Sequence, residues 1–440
     1  MKPYCFVLMP FGSKEDENAN VIQFDKVYEQ IFKPAIVNAG LEPIRADEES
    51  IQGIIHKPMF ERLMLCEYAL ADLTAANPNV FYELGVRHGI RPYSTVLTCA
   101  KGRRLPFDVS PLRTLSYEID EKGVPINEEI NVNEVYEKIL ECKEPTDDSP
   151  VYQLVENMPR PEINRLKTDV FRDSVDYTKR IKEKLKEARK YTSTEVKQVE
   201  NELSNIKDQD PAVLVDLLLS YRALKDWGNV VRLIDNCFPP MLKSSAMVKE
   251  QKGLALNRMG QRNKALDILN QLIEEKGENS ETNGILGRVY KDLWGDAKKE
   301  GKDKKAKGYL NWAIDKYLKG FESDWRDAYP GINAVTLMEI RDPSDNKLKE
   351  LLPVVYYSVK RRLESKATDY WDYATMVELN VLKRDYEEAR KELQNALIYI
   401  REDWEPETTA NNLKFIRNSR EEKGEDTKEI DNIITELMNS

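Results

Sequence analysis

The segment Tyr68-Ala69-Leu70-Ala71-Asp72 constrains the fold more than any other: an apolar run of strand length ends in an aspartate. A turn rich in Asn and Pro follows, and helical periodicity then runs from Val80 to Ile90, with Glu83 in its first turns and Gly85 two residues later. An acid at the carboxyl end of a strand, and a second at the start of the next helix, is where an open α/β sheet places reactive groups. The same alternation extends over residues 1–145. Residues 4–9 form an apolar run before the turn Pro10-Phe11-Gly12-Ser13. Phe24, Val27, Tyr28, Ile31, Phe32 and Ile36 then recur at helical spacing up to Gly40. Residues 41–45, 94–99 and 114–117 read as further strands, and helical patterns start at Pro58 and run through Val135, Ile139 and Leu140. Strands alternating with helices predict a mostly parallel sheet covered on both faces.

Proline and acid enrichment across residues 143–160 breaks that pattern, so residues 146–173 read as a linker. From 174 to 440 the signal is helical almost throughout. Leu217, Leu218, Tyr221 and Leu224, then Gly253, Ala255, Leu256, Ala265 and Leu269, and later Tyr373, Ala374, Leu379, Ala389 and Ala396 give paired helices. A small residue at the helix crossing and a short turn before the second helix are features of tetratricopeptide repeats. Residues 277–345 do not keep a strict 34-residue period, so an α-solenoid is expected without a repeat count.

Charge excludes some functions. The 67 basic and 77 acidic side chains leave a net charge of −10, the wrong sign for general nucleic-acid binding. Five cysteines without a CxxC pair read as buried free thiols in a reducing, cytoplasmic compartment. Two histidines with no cysteine pair nearby make a structural zinc site improbable, so no metal and no cofactor is expected. The amino terminus passes from Lys2 into a strand pattern without a signal peptide, and no apolar run reaches the roughly 20 residues that span a bilayer.

Four fragments of the first 120 residues can converge at one end of the sheet: Met9-Pro10-Phe11-Gly12, Arg45-Ala46-Asp47, residues 72–83, and Leu105-Pro106-Phe107-Asp108 with Arg113. Cleaving an N-glycosidic bond needs a carboxylate facing a sugar whose transition state is positively charged, and a group to assist the departing base. Glu83 suits the first task, and Asp72 the second or the fixing of sugar hydroxyls. Spacing serves equally well for Asp72 as a turn cap and Glu83 as a helix-dipole partner. His88 reads more readily as a helix-end residue than as a base, and Arg45 and Arg113 as surface pairs or phosphate anchors.

Val7-Leu8-Met9-Pro10-Phe11, Ala71-Asp72-Leu73-Thr74 and Asn79-Val80-Phe81-Tyr82-Glu83-Leu84-Gly85 resemble the nucleoside 2-deoxyribosyltransferase superfamily, nearest its deoxyribohydrolase-like branch, distant kin of TIR domains. The resemblance covers about 120 residues. It implies a flavodoxin-like fold, Glu83 at the anomeric carbon, Asp72 positioning sugar and base, and Pro10, Phe11, Gly12, Arg45, Asp47, Asn79, His88, Asp108 and Arg113 around the substrate. Asn77-Pro78-Asn79-Val80 departs from the Asp-Gly-Thr segment of transferases acting on free nucleosides, which leaves the substrate open.

Three later fragments stand out: Gly287-Arg288-Val289-Tyr290-Lys291, Tyr329-Pro330-Gly331-Ile332-Asn333-Ala334, and Asp369-Tyr370-Trp371. Arg288 and Lys291 share a helix face. Aromatics beside Arg, Lys and Asn can stack a base and hold phosphate, although packing and capping explain the same residues. The first two fragments resemble the tetratricopeptide-type TRAFs-binding domain of apoptosis-signal-regulating kinases, over residues 175–435. That resemblance implies sensing of a nucleotide-derived signal at Arg288, Lys291, Tyr329, Asn333 and Trp371.

Together these readings predict a flavodoxin-like α/β domain over 1–145, a linker over 146–173 and an all-α, tetratricopeptide-like solenoid over 174–440. The expected function is an immune or stress effector, antiviral in kind and assembling as a homo-oligomer. Its Glu83 would hydrolyse the N-glycosidic bond of NAD or a deoxynucleotide, under control of the helical domain. The alternative is a non-catalytic, nucleotide-binding signalling scaffold that recruits protein partners.

Overall fold

A computed structural model of the protein describes residues 2–439 apart from 17–19, 46–55, 108, 111, 145, 161–164, 204, 365–368 and 401–403. The chain divides into two compact units, Met1–Asp226 and Trp227–Ser440.

The first unit is built on five parallel strands: β1 (Tyr4–Leu8), β4 (Glu42–Arg45), β5 (Tyr68–Asp72), β6 (Thr95–Ala100) and β7 (Thr114–Tyr117). The short strands β2 (Ser13–Glu15) and β3 (Val21–Gln23) pair separately as an antiparallel hairpin. Across the sheet the order is β4-β1-β5-β6-β7. Counting only these strands, that is 2-1-3-4-5, the flavodoxin-like doubly wound order. Strand β1 is buried along its whole length, and its side chains alternate between two cores. Cys5 and Val7, continued by Met9, face Phe24, Tyr28, Phe32 and Ile139, while Tyr4, Phe6 and Leu8 face Leu63, Val80, Leu84 and Phe171.

Helix α1 comprises Phe24–Val27 and Lys33–Asn38, joined through a π turn at Tyr28–Phe32. Helix α2 is His56–Leu65, α3 is Pro78–Ile90 and α4 is Glu128–Glu141. Asn77 starts α3: its side-chain oxygen accepts the amides of Asn79 and Val80, and Pro78 occupies the first helical position. At the other end of α3, the buried Arg87 binds the carbonyls of Leu63, Cys66 and Glu67 and the Ser94 hydroxyl. Those groups stand ahead of β5 and β6, so Arg87 ties together the amino ends of the strands.

The expected linker is partly structured. Helix α5 (Pro150–Leu154) follows Ser149, whose hydroxyl donates to the His88 carbonyl, and Asp148 accepts the Thr95 amide. Helices α6 (Arg165–Ala188), α7 (Ser193–Glu202) and α8 (Pro211–Ala223) pack on one another within the same unit, so the division falls near 226 and not within 146–173.

The second unit opens with α9 (Trp227–Asn236) and α10 (Pro240–Lys243). Five antiparallel hairpins follow: α11 (Ala246–Arg258) with α12 (Arg262–Lys276), α13 (Ser280–Lys299) with α14 (Asp303–Ser323), α15 (Ala328–Arg341) with α16 (Asn346–Glu364), α17 (Tyr370–Lys383) with α18 (Tyr386–Ile398), and α19 (Trp404–Glu422) with α20 (Lys428–Asn439). The first helices of successive hairpins also touch, which makes the unit a tetratricopeptide-like stack. The hairpins begin at 246, 280, 328, 370 and 404, so the spacing is 34 residues at both ends but 48 and 42 between. The long α13–α14 pair accounts for the lost period over 277–345. Glycine marks the crossings: a Cβ on Gly253 would stand 2.8 Å from Leu269, and one on Gly287 would stand 2.6 Å from the Tyr317 ring. Among the described residues no helix is long and apolar enough to cross a membrane.

Candidate functional site

The sheet order reverses around β1, and doubly wound sheets bind ligands beyond the carboxyl ends of the strands at that point. There the chain leaves β1 through the buried Pro10, then Phe11 and Gly12. Gly12 adopts a positive φ of 64°, and its amide donates to Asp25 Oδ1 at 3.1 Å. Arg45, the last residue of β4, pairs with the same oxygen at 2.9 Å. Its guanidinium lies 4.4 Å from the centre of the Tyr28 ring and 5.7 Å from that of Phe11. Phe11, Gly12 and Arg45 therefore meet as expected, but Arg45 spends charge on Asp25. Asp25 and Tyr28 were not picked out in the sequence, where they read only as helix residues.

Asp72 ends β5 at 1% exposure. Its Oδ1 accepts the Thr74 amide at 3.0 Å and the Thr74 hydroxyl at 2.5 Å, and its Oδ2 accepts the Tyr117 hydroxyl at 2.8 Å. Thr74 Oγ1 also takes the Ala100 amide at 2.9 Å. The cluster knots together the carboxyl ends of β5, β6 and β7. Burial raises the Asp72 carboxyl to about 6, against the downward pull of these hydrogen bonds. Both oxygens of Asp72 accept hydrogen bonds from within the chain. Thr74 and Tyr117 were missed; the Asp-x-Thr spacing was the available signal for the first.

Glu83 lies in different surroundings. It is half-buried in the second turn of α3 and has no hydrogen-bond or ion-pair partner among the described residues. Burial alone pushes its carboxyl up to about 7. Asn79 is exposed, with its amide bound to the Asn77 cap. Two other expected residues stand at the opposite end of the sheet. His88 is buried in the last turn of α3, held down to about 4 by burial and then by Arg87. Arg113 is exposed, immediately before β7. Asp47 and Asp108 lie outside the described residues.

In the second unit, a seam of buried polar pairs joins the first helices of successive hairpins. Thr282 donates to Glu250 at 2.6 Å, Asn257 to Asp292 at 2.8 Å, Lys291 to Asn333 at 3.1 Å and Thr336 to Glu378 at 2.6 Å. Lys291 is 7% exposed, with its ammonium 5.1 Å from the centre of the Phe415 ring. No described carboxylate pairs with it, and burial followed by Arg288 lowers it to about 8. Arg288 lies near Asp292 at 3.3 Å, and Asn333 also donates to the Tyr329 carbonyl. Four of the expected residues (Arg288, Lys291, Tyr329 and Asn333) thus come together. Trp371 sits in the first turn of α17, its ring 5.2 Å from that of Tyr370, about 10 Å along the helix from Glu378. Tyr317 joins the cluster from α14, resting on Gly287; its place was not legible because it sits on another hairpin arm.

A family model described as the MAP3K TRAFs-binding domain matches residues 80–437. Mitogen-activated protein kinase kinase kinase nsy-1 of Caenorhabditis elegans is 27% identical over 387 residues, 80% of this chain and 25% of that protein. Human mitogen-activated protein kinase kinase kinase 5 is 28% identical over 209 residues, 45% of this chain and 15% of that protein. The chain spans a quarter or less of the length of these curated relatives. Among solved structures, a thermophilic tetratricopeptide repeat protein of Thermus thermophilus is 17% identical, with a TM-score of 0.34 over 46% of this chain and 97% of its own. Another from Parabacteroides merdae is 15% identical, with a TM-score of 0.33 over 62% of this chain and 96% of its own.

These findings correct the expected N-glycosidase. The relatives are protein kinases matched through a TRAFs-binding region, not hydrolases or antiviral effectors, and the nucleotide substrate falls with that reading. In the structure Asp72 accepts from Thr74 and Tyr117, and Glu83 has no hydrogen-bond or ion-pair partner among the described residues.

Proposed function

The chain belongs to the MAP3K TRAFs-binding domain family, and from that premise we propose that it is a signalling scaffold. Its helical hairpins recruit protein partners of the TRAF kind. Its sheet unit binds a nucleotide-like ligand at the switch point without turning it over, and the resemblance of the first 120 residues to deoxyribosyltransferases enters only as that crevice. The observation that carries the reading is the family match over 80–437, most of both units.

The surface of the second unit supports it. Trp312 is exposed beside Tyr290 and Tyr309, at ring distances of 5.4 and 5.9 Å. Trp325 and Tyr357 are exposed as well, and Ser358, next to Tyr357, donates to the Trp325 carbonyl. Exposed aromatics of this kind anchor protein interfaces.

The test is surface-plasmon binding of the full chain to a panel of purified TRAF proteins, with W312A and Y357A as variants. A complex weakened by about 2 kcal/mol or more in at least one variant is expected. The absence of any complex, or base release when the chain is incubated with NAD or deoxynucleotides, overturns the reading.

A further inference from the structure

We propose that Arg258, Arg288, Lys291, Tyr317, Tyr329 and Asn333 form a site in the second unit for the phosphate group of a small organic phosphate. The first support is an imbalance of charge. Asn257 donates to Asp292, which brings the end of α11, and with it Arg258, against this turn of α13. Arg258 is lowered first by its own burial and then by Arg288, and Arg288 acts in the same way on Lys291. Three cations thus lie near one another, although Arg288 itself is raised, its burial being outweighed by Tyr317, Asp292 and Tyr329. The carboxylates beside them are already engaged, Asp292 by Asn257 and Arg288, and Glu378 by Thr336.

The second support is a surplus of donors around the buried Lys291. The Tyr317 hydroxyl is fully enclosed and lies against the Tyr329 side chain, and Arg288 pairs with Asp292 at 3.3 Å and also meets Tyr329. Lys291 carries three donors, and one is used, on Asn333. An ammonium buried without a counter-ion destabilises a fold unless an anion joins it. Two guanidinium groups, an ammonium and a phenol match the several oxygens of a phosphate better than the two of a carboxylate.

The third support concerns size. Lys291 is buried and Arg288 half-buried, whereas Arg258 is exposed and the Tyr329 ring stands at the rim, 49% exposed and 6.1 Å from Tyr317. A flat group attached to the phosphate can stack there. Gly284 and Gly287 let the two rings lie against α13: a Cβ would meet Tyr329 at 3.3 Å and Tyr317 at 2.6 Å.

Calorimetric titration of the full chain with AMP, inorganic pyrophosphate and a phosphoserine peptide tests the site independently of partner recruitment. AMP and pyrophosphate should bind saturably. K291M and R288Q should each weaken both by on the order of tenfold or more, and Y329A should weaken AMP alone. K291M should melt no lower than the wild type, because it removes a buried unpaired charge, and R288Q provides a second probe if it does not. No saturable binding of AMP or pyrophosphate, undiminished binding by both variants, or binding of the phosphopeptide alone overturns the proposal.

Discussion

Replacing Glu83 by glutamine tests what a partnerless acid costs the sheet unit. Burial raises the carboxyl from 4.5 to about 7. Between those values the folded chain holds a proton that the unfolded chain has released, so stability falls as pH rises through that window. At 1.36 kcal/mol per pKa unit, the charged side chain costs roughly 3 kcal/mol above pH 7 and nothing below pH 4. Glutamine keeps the shape and removes the charge. The readout must come from the first unit. All six tryptophans (Trp227, Trp294, Trp312, Trp325, Trp371 and Trp404) lie in the second, so their fluorescence is blind to α3. Hydrogen exchange of the β5 and α3 amides, compared between wild type and E83Q at matched pH, cancels the intrinsic pH dependence. Protection at pH 8 should rise on the order of 100-fold in the variant, with no change at pH 4. Equal protection at pH 8 would refute the reasoning, and so would the same gain at both pH values, which would make the effect one of packing.

Two further outcomes probe the two units. Y117F removes a hydroxyl donor from a buried carboxylate and should cost about 1.5–3 kcal/mol, read as faster exchange in β5, β6 and β7; unchanged exchange would mean that the Asp72 cluster does not hold the strand ends. G287A drives a methyl group into the Tyr317 ring and should cost about 1–3 kcal/mol. G295A, on the same helix with nothing within 4 Å of the added carbon, should be neutral or slightly stabilising, and equal urea midpoints by tryptophan fluorescence would contradict the packing argument.

Local chemistry was legible in the sequence and long-range pairing was not. The strand ending at Asp72 is where its pattern placed it, and the helix after it begins two residues ahead of the expected Val80, at Pro78 behind the Asn77 cap. Arg288, Lys291 and Asn333 also stood out, because their fragments interrupt ordinary helix sequence. What escaped depends on partners far along the chain. Tyr117 reaches Asp72 across 45 positions, and nothing in either neighbourhood announces the other. Arg87 carries no signal of its own in the sequence, yet it is fully buried by carbonyls that only the parallel sheet gathers. His88 and Arg113 were grouped with the site by the family resemblance, whereas the direction of α3 and β7 carries them to the other end of the sheet. The proline-rich stretch near 150 read as a linker because its anchor, Ser149 to the His88 carbonyl, is again a distant contact.

The two polar clusters differ in a way that residue type alone does not reveal. Around Asp72, acceptors and donors balance within the chain, and a cluster so closed has its purpose in the fold itself. Around Lys291, donors outnumber the acceptors available to them, in a seam whose Thr282–Glu250, Asn257–Asp292 and Thr336–Glu378 pairs are made. A solenoid can fill such a position with leucine or methionine and gain stability. Retaining an ammonium beside two guanidinium groups there makes sense when the missing acceptors arrive with another molecule, whose binding then adds to the stability of the folded state. Glu83, by contrast, is a half-buried acid with no hydrogen-bond or ion-pair partner among the described residues, so its burial is offset by nothing within them.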